Sequence, residues 1–535
     1  MFPGVPTRYV RIACQWLVFT LWVGLILSTG HPMDSWLAQH VPVSLLLRID
    51  PLVMTVVCGG MRVGVTILLL GFVTLAATLI LGRVFCGWVC PLGAIFDAYG
   101  WVLRRLHVRI DGPSPKWFRF KYYLLFSMLI LAAFGVVSPL MGFDPIVLLT
   151  RTIATVVQPF WRQRAELPWQ VGGNVGKHGY LIDVATLILF LGIMSATTRL
   201  SRIWCRTACP LGAYLAVASR NSVLRRETKD CIHCDICATN CPTGAISLTN
   251  PEVYNESECI KCFSCTQDCP VDANFFTYKS PFPTETYSKT PVSLDRRAVL
   301  GAGIAAAVSA PIFELSAGTP QSTKSLIRPP MSREEDEFLL SCIRCNECSK
   351  ACPTGVLKPA SFEHGLRAFW TPILTPTEGY CQEGCNACSQ ACPTDAILKY
   401  DIADKYKFKS GTAVFDSSRC ISYTEDKFCS ECVRVCPTDA IDIHKGWEPP
   451  GSTPNPALET TTTRGIKASI GSQGSELPAP AGQAPTRPYH VNYDRCVGCG
   501  ACQFACDQIV FGNAAMQTTS AGRATPTQLN PVPPV

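Results

Sequence analysis

Residues 231–242 read CIHCDICATNCP, and residues 259–270 read CIKCFSCTQDCP. Each is Cys-x2-Cys-x2-Cys-x3-Cys-Pro, the bacterial [4Fe–4S] ferredoxin run. Three thiolates on one tight loop bind three irons of a cube, and the fourth, beyond a turn, reaches the neighbouring cube. By that rule Cys231, Cys234, Cys237 and Cys269 hold one cluster, while Cys259, Cys262, Cys265 and Cys241 hold the other. A zinc ribbon uses pairs of Cys-x2-Cys and does not produce this run. The two runs predict an α+β, ferredoxin-like two-cluster domain over residues 227–280.

Four more quartets lie downstream. Cys342, Cys345, Cys348 and Cys352 form another standard run. Cys381, Cys385, Cys388 and Cys392 have one extra residue in the first gap. Cys420, Cys429, Cys432 and Cys436 have an eight-residue first gap. Cys496, Cys499, Cys502 and Cys506 end on Asp507, where the others have proline. A stretched gap loosens a loop without removing a ligand, so residues 331–510 read as a four-cluster ferredoxin domain. With the first two runs this makes six [4Fe–4S] clusters, using 24 of the 30 cysteines. The long gap before Cys496 favours a nested exchange of fourth cysteines, first quartet with last and second with third, and adjacent exchange stays open. Residues 446–490, rich in Pro, Thr, Gly and Ser, read as a flexible insertion. Residues 511–535 read as a disordered tail.

Upstream the texture is different. The 535-residue chain is 48% hydrophobic and 16% charged, which is too apolar for an ordinary soluble protein. Four runs, 12–29, 63–82, 122–140 and 180–197, each come close to the ~20 residues that a hydrocarbon core demands. They predict an all-α, four-helix membrane module over residues 1–226. The net charge of +7 collects beside these runs, which points to membrane topology rather than nucleic acid. Arg8 and Arg11, then Arg83, Arg104 and Arg105, then Arg199, Arg202 and Arg206 mark the inner side. Residues 30–61 and 141–179 fall outside. Thirty cysteines in so large a chain do not suggest a disulfide scaffold, which belongs to small secreted domains.

At the membrane edge, residues 86–94 read CGWVCPLGA and residues 205–213 read CRTACPLGA. The module is therefore a duplicated hairpin with Cys86, Cys90, Cys205 and Cys209 on one face. Four such thiols could hold a metal or redox centre, or act as redox dithiols, or simply stand in a Pro-Leu-Gly turn. Cys14 and Cys58 read as packing residues. Residues 291–318 contain Arg296-Arg297 before a 16-residue apolar run, a twin-arginine-like signal or a fifth anchor. A helix of that length would be ~24 Å long, short of a ~30 Å core.

The chain has no Cys-x-x-Cys-His, no Walker loop, no flavin or nicotinamide fingerprint and no nucleophilic triad. The chemistry that remains is electron transfer. A quinol substrate would need an apolar pocket with a proton acceptor. His31, His40, His178 and Asp183 are candidates, none of them singled out as catalytic.

Taken together, residues 1–290 resemble the NapH-type membrane polyferredoxins, with two Cys-x3-Cys-Pro motifs and two clusters. Residues 291–510 resemble the NapG-type, MauM-like exported ferredoxins, and the membrane module is similar to those of the NosR and MauN groups. The resemblance implies a quinol dehydrogenase of the bacterial inner membrane, with the quinone pool and a periplasmic oxidoreductase, such as a nitrate reductase, as partners. It implies a cytoplasmic domain at 227–280 and a periplasmic one at 331–510. The fusion departs from the family pattern: processing at 298–313 would yield two proteins, and retention would tether them. Two other roles fit the composition. One is a maturation protein resembling a copper reductase, although the nine methionines form no copper tract. The other is a relay subunit without a quinone site of its own.

Overall fold

The structure, a computed structural model, describes residues 7–28, 44–61, 68–107, 118–134, 139–157, 183–198, 201–279, 296–315, 326–424, 429–443, 489–510 and 513–520. Its first half is helical: α1 (Thr7–Ser28), α2 (Pro51–Met61), α3 (Gly71–Leu81), α4 (Pro91–Arg105), α5 (Phe120–Ala133), α6 (Pro145–Thr152), α7 (Val184–Thr197) and α8 (Pro210–Ala218). Within α1, Arg8–Ile26 is the one described segment long and apolar enough to cross a bilayer. The described parts of the other three runs, α3, α5 and α7, are apolar helices of 11 to 14 residues. Neighbouring stretches 62–67, 135–138 and 158–182 lie outside the described residues.

The segments between these apolar helices are not simple loops. Both α2 and α6 begin with Asp-Pro, and each aspartate caps its helix while proline takes the first turn, where no N–H is needed. Asp50 accepts from Leu52 and Val53 N–H at 2.8 and 3.3 Å, and Asp144 from Ile146 and Val147 N–H at 2.9 and 3.2 Å. Leu52, Val53, Val57, Ile146, Val147 and Leu148 are fully buried, so these two helices form the centre of the module. Likewise α4 and α8 each start at the proline of a Cys-Pro pair, with extended backbone at Cys90 and Cys209.

The two-cluster domain is closed by strand β1 (Leu224–Thr228) pairing antiparallel with β2 (Asn274–Tyr278). It docks where α3 ends and α5 begins. Lys121 Nζ binds Glu258 at 2.5 Å, and Val223 N–H donates to the Ile80 carbonyl at 3.0 Å. Beyond the other end of α5, the ring of Trp370 packs on Gly142. The two-cluster domain and the four-cluster module thus sit at opposite ends of α5.

Helix α9 (Arg296–Leu315) joins them. It lies along α5 in the same direction, with Gly303 against Phe126 and Ile130 and Ala306 packed with Leu131. Its 20 residues are longer than the apolar run and correspond to ~30 Å.

Among the described residues the four-cluster module contains three two-stranded ribbons. They pair β3 (Leu357–Pro359) with β4 (Pro372–Leu374), β5 (Thr412–Phe415) with β8 (Met516–Thr519), and β6 (Ile441–Ile443) with β7 (Tyr489–Val491). Strand β8 corrects the expected tail: Met516 is buried and its strand completes a ribbon begun a hundred residues earlier. The module also starts before residue 331, because buried Arg328 pairs with Glu335 at 2.5 Å. Most of the expected insertion, 446–488, lies outside the described residues, and Tyr489 already belongs to β7.

Candidate iron–sulfur relay

Each tight Cys-x2-Cys loop forces residues into the left-handed region. His233 and Asp235, Lys261 and Phe263, Arg344 and Asn346, and Gly498 and Gly500 all have φ between 51° and 79°. A phenylalanine there is unusual and marks a backbone held by its surroundings. The stretched first gaps relieve this: Asn386 and Ser430, at the matching positions, have φ of −128°. After the fourth cysteine, Gly244, Asp272, Gly355, Asp395 and Asp439 form a second left-handed turn. Asp507 in place of proline lets the last helix, Ala501–Val510, run on past Cys506.

The expected exchange is visible in the first domain. Cys231, Cys234, Cys237 and Cys269 line one cavity. Cys265 lies in the field of Cys259, Cys262 and Cys241. In the larger module the nested pairing is corrected to exchange between neighbours. Cys348 groups with Cys342, Cys345 and Cys392, and Cys388 with Cys381, Cys385 and Cys352. Cys420, Cys429, Cys432 and Cys506 share a cavity, while Cys502 faces Cys496, Cys499 and Cys436. The physical reason is that strands β5 and β8 and β6 and β7 bring the last two quartets together, so the long insertion leaves and re-enters at one place.

These groups suit a cluster. Burial pushes the thiols of Cys259, Cys432 and Cys499 up to about 12, so thiolate there needs a bound cation. Backbone N–H groups meanwhile donate to sulfur: Ala245 to Cys241 at 3.3 Å, Ala273 to Cys269 at 3.2 Å and Ala440 to Cys436 at 3.3 Å. Such bonds tune cluster potentials. Among the described residues no three His, Cys, Asp or Glu side chains gather as a single metal ion would require.

The duplicated motif also converges. Cys90 and Cys209 each lie in the field of Cys86 and Cys205. Two buried arginines frame the set, each crossing to the other copy: Arg83 packs on Gly212, and Arg202 on Gly93. Arg202 holds Asp97 at 2.6 Å and donates to the Cys86 carbonyl at 3.2 Å. Arg83 holds Glu258 at 3.1 Å. Counting Arg11 on Asp97 and Lys121 on Glu258, four cations face two carboxylates.

The four converging cysteines sit beside the two-cluster domain. At Gly87, between Cys86 and Cys90, a Cβ would stand 2.3 Å from the Ile260 carbonyl oxygen, so the Cys259–Cys262 loop rests on this turn. Arg206, between Cys205 and Cys209, lies on Gly244 beside Cys241. On the other side Ile343 and Cys345 join the large core built around α6, with Cys345 beside Arg151, and that core extends to Cys90 and Cys209. There Arg151 also stacks 3.6 Å from the ring centre of Trp370. Further on, Cys381 N–H donates to the Cys499 carbonyl at 2.9 Å. The described cysteine groups thus follow one another in a row that crosses the core around α6 between the central four and Cys345, and that ends with the Cys496 quartet and then the Cys420 quartet.

By the positive-inside rule alone, Arg83 and Arg202 are only markers of the inner side. The signal was present, since the full repeat is Arg-x2-Cys-x3-Cys-Pro-Leu-Gly. The same rule misses Asp50 and Asp144, two fully buried carboxyls that face each other, each with Oδ2 lacking a hydrogen-bond donor. Of the quinol candidates, Asp183 caps α7, accepting from the hydroxyl of Thr186 at 2.5 Å. His31, His40 and His178 lie outside the described residues. Cys58 packs on the core of the helical module.

Comparison with known proteins gives the same division. Residues 63–109 and 182–229 each match a 4Fe-4S binding domain, and 230–273, 341–396, 380–440 and 427–510 match a 4Fe-4S dicluster domain. An Escherichia coli ferredoxin-type protein, NapH, is 26% identical over 243 residues, which cover 44% of this chain and 74% of NapH. Similarity extends to the ferredoxin-type protein MauN of Paracoccus denitrificans and the regulatory protein NosR of Stutzerimonas stutzeri, at 25% and 28% identity. This chain is a ferredoxin-type iron–sulfur protein related to NapH, MauN and NosR. As such it is an electron-transfer protein. A putative electron transport protein of Escherichia coli, YccM, is 26% identical over 39% of this chain and 54% of its own length. An uncharacterized protein of Methanocaldococcus jannaschii is 29% identical over 38% of this chain and 76% of its own length. In this ferredoxin-type chain, each 4Fe-4S binding match at the membrane module contains only two of the four converging cysteines.

Proposed function

We propose that this chain is a membrane-bound quinol dehydrogenase whose iron–sulfur sites form one electron wire across the bilayer. The observation that carries this reading is the convergence of Cys86, Cys90, Cys205 and Cys209 beside the Cys259–Cys262 loop, in a core that reaches Cys345. Two half-sites of two thiolates each would together hold a single centre, and a [4Fe–4S] cluster fits the surrounding charge. Each of the six quartets holds one cluster, with fourth cysteines exchanged between neighbours. The four apolar runs span the membrane, α9 is retained as a fifth helix, the two-cluster domain is cytoplasmic and the four-cluster module periplasmic. The direction of α9 along α5 supports retention, because it carries the chain from one end of the helices to the other.

Quinol oxidation releases protons with its electrons, and the Asp50–Asp144 pair is the buried acid available to take them. Electrons leave through the four-cluster module to a periplasmic oxidoreductase. The capping role of Asp183 favours, as the second reading, a relay fed by a partner that carries its own quinone site. The deciding experiment is anaerobic addition of menaquinol or ubiquinol to the detergent-solubilised chain, with cluster reduction followed by EPR. Reduction by quinol of a substantial share of the dithionite-reducible signal is expected. Clusters that answer only to dithionite would overturn the dehydrogenase reading and leave the relay.

A further inference from the structure

The two sites of the two-cluster domain differ in what surrounds them. Cys259 and Cys262 are half-buried, on a loop that rests against the Gly87 turn of the helical module. The Cys231 site faces away, and Cys234 is exposed. Its cavity is rimmed by Ile232, Ile236 and Val271, which are 59%, 39% and 46% exposed. Solvated isoleucines around a redox site are costly to leave bare and mark a contact surface. Among the described residues no other cysteine group lies beyond this site, so it is one end of the row.

The charge around that rim has one dominant sign. Asp235 lines the cavity, and Asp230 and Asp272 flank Cys231 and Val271 on the exposed surface. Glu252, also exposed, reaches His233 at 3.6 Å. Lys229 is the one lysine in the same loop. An apolar centre within an acidic rim favours fast, weak, salt-sensitive encounters with a positively charged surface.

We propose that this face is the docking port for a soluble one-electron carrier with a basic, apolar-centred surface. It rests on the wire reading, and it adds a partner on the side of the two-cluster domain. The step is the transfer of one electron between carrier and the Cys231 site: one is oxidised as the other is reduced, and no proton or bond changes hands. A basic carrier is preferred to a membrane surface because the apolar residues are three, ringed by carboxylates that anionic headgroups would repel.

The test uses the full, cluster-loaded chain in detergent and horse-heart cytochrome c as the basic probe, with an acidic flavodoxin as control. Binding is measured at low and moderate salt, and zero-length carbodiimide cross-links are mapped. Cytochrome c should bind at low salt, weaken by about tenfold or more with added salt, and cross-link within residues 230–272. The double charge reversal Asp235→Lys and Asp272→Lys should weaken binding about tenfold with the cluster EPR signal intact. Asp336→Lys, on the four-cluster module, should leave it unchanged. Cross-links outside 230–272, equal loss in Asp336→Lys, or tighter binding of flavodoxin would overturn the proposal. Failure of the wire is read separately: binding would persist, but electrons given to the two-cluster domain would not reach the outer clusters.

Discussion

The two copies of Arg-x2-Cys-x3-Cys-Pro-Leu-Gly share their thiols, their turn and their crossed arginines, yet they meet their surroundings differently. Arg202 finds its carboxylate, Asp97, within the membrane module. At the equivalent place 119 residues later stands Ala216, and Arg83 instead takes Glu258 from the docked two-cluster domain. Between the cysteines, one copy has Gly87, which admits the Ile260 carbonyl, and the other has Arg206, which reaches out to Gly244. The pocket is symmetric in its thiols and arginines, and the positions where the copies differ are the ones that meet the two-cluster domain.

The sharpest way to break this comparison is to remove one thiol from each copy. Cys86→Ser with Cys205→Ser should abolish electron passage between the ferredoxin modules and remove one centre's iron, with the six quartet signals retained. Iron analysis and EPR check both. Loss of iron from the quartets as well would mean that the four cysteines are structural.

Next in size is Glu258→Ala, which leaves Arg83 and Lys121 buried without their carboxylate. Breaking such a buried network costs about 3–5 kcal/mol, enough to release the two-cluster domain. Asp97→Ala should destabilise the module comparably without releasing that domain. Limited proteolysis between residues 219 and 230 separates the two outcomes.

Gly87→Ala should be milder than loss of the carboxylate, although its Cβ would stand 2.3 Å from the Ile260 carbonyl oxygen and the docked loop must move away as a unit. A cost of about 1–3 kcal/mol is expected, read as a lower melting temperature. Arg206→Ala, in the other copy, should change thermal stability less.

The smallest effect concerns acid. Burial alone would raise the Glu258 carboxyl, but Lys121 and Arg83 beside it hold it below the ordinary glutamate range. A depressed carboxyl stabilises the fold above its unfolded pKa, and that contribution fades as pH falls through the lower folded value. Docking should therefore be insensitive to pH from 8 to 5 and loosen only below about 4, as protection of residues 227–280 from pepsin would report.

Much of this was legible because cysteine spacing is a local geometric statement. A tight Cys-x2-Cys-x2-Cys loop can be recognised without knowing what lies around it, and the cavity shared with Cys269 follows from the same rule. The exchange partners of Cys436 and Cys506 were not legible, since ribbons between residues 412 and 519 and between 441 and 491 decide them across a long insertion. Strand β8 was hidden in a polar, Thr-rich stretch whose only signal is the alternation around Met516. The helices α2 and α6 were hidden by their place between the spans, although Asp-Pro before an apolar run is a helix start.

The sequence by itself determined the kind of protein: its cysteine quartets, its apolar helices and its duplicated Cys-x3-Cys-Pro motif are written in spacing and composition. Only the tertiary structure decided which cysteines face one another and that the duplicated pair stands between two ferredoxin modules. The reason is physical. Ligand spacing within a loop is set by a few bond lengths, whereas a site assembled from residues 86 to 209 exists only once buried arginines, glycine contacts and helix packing have brought the two copies together.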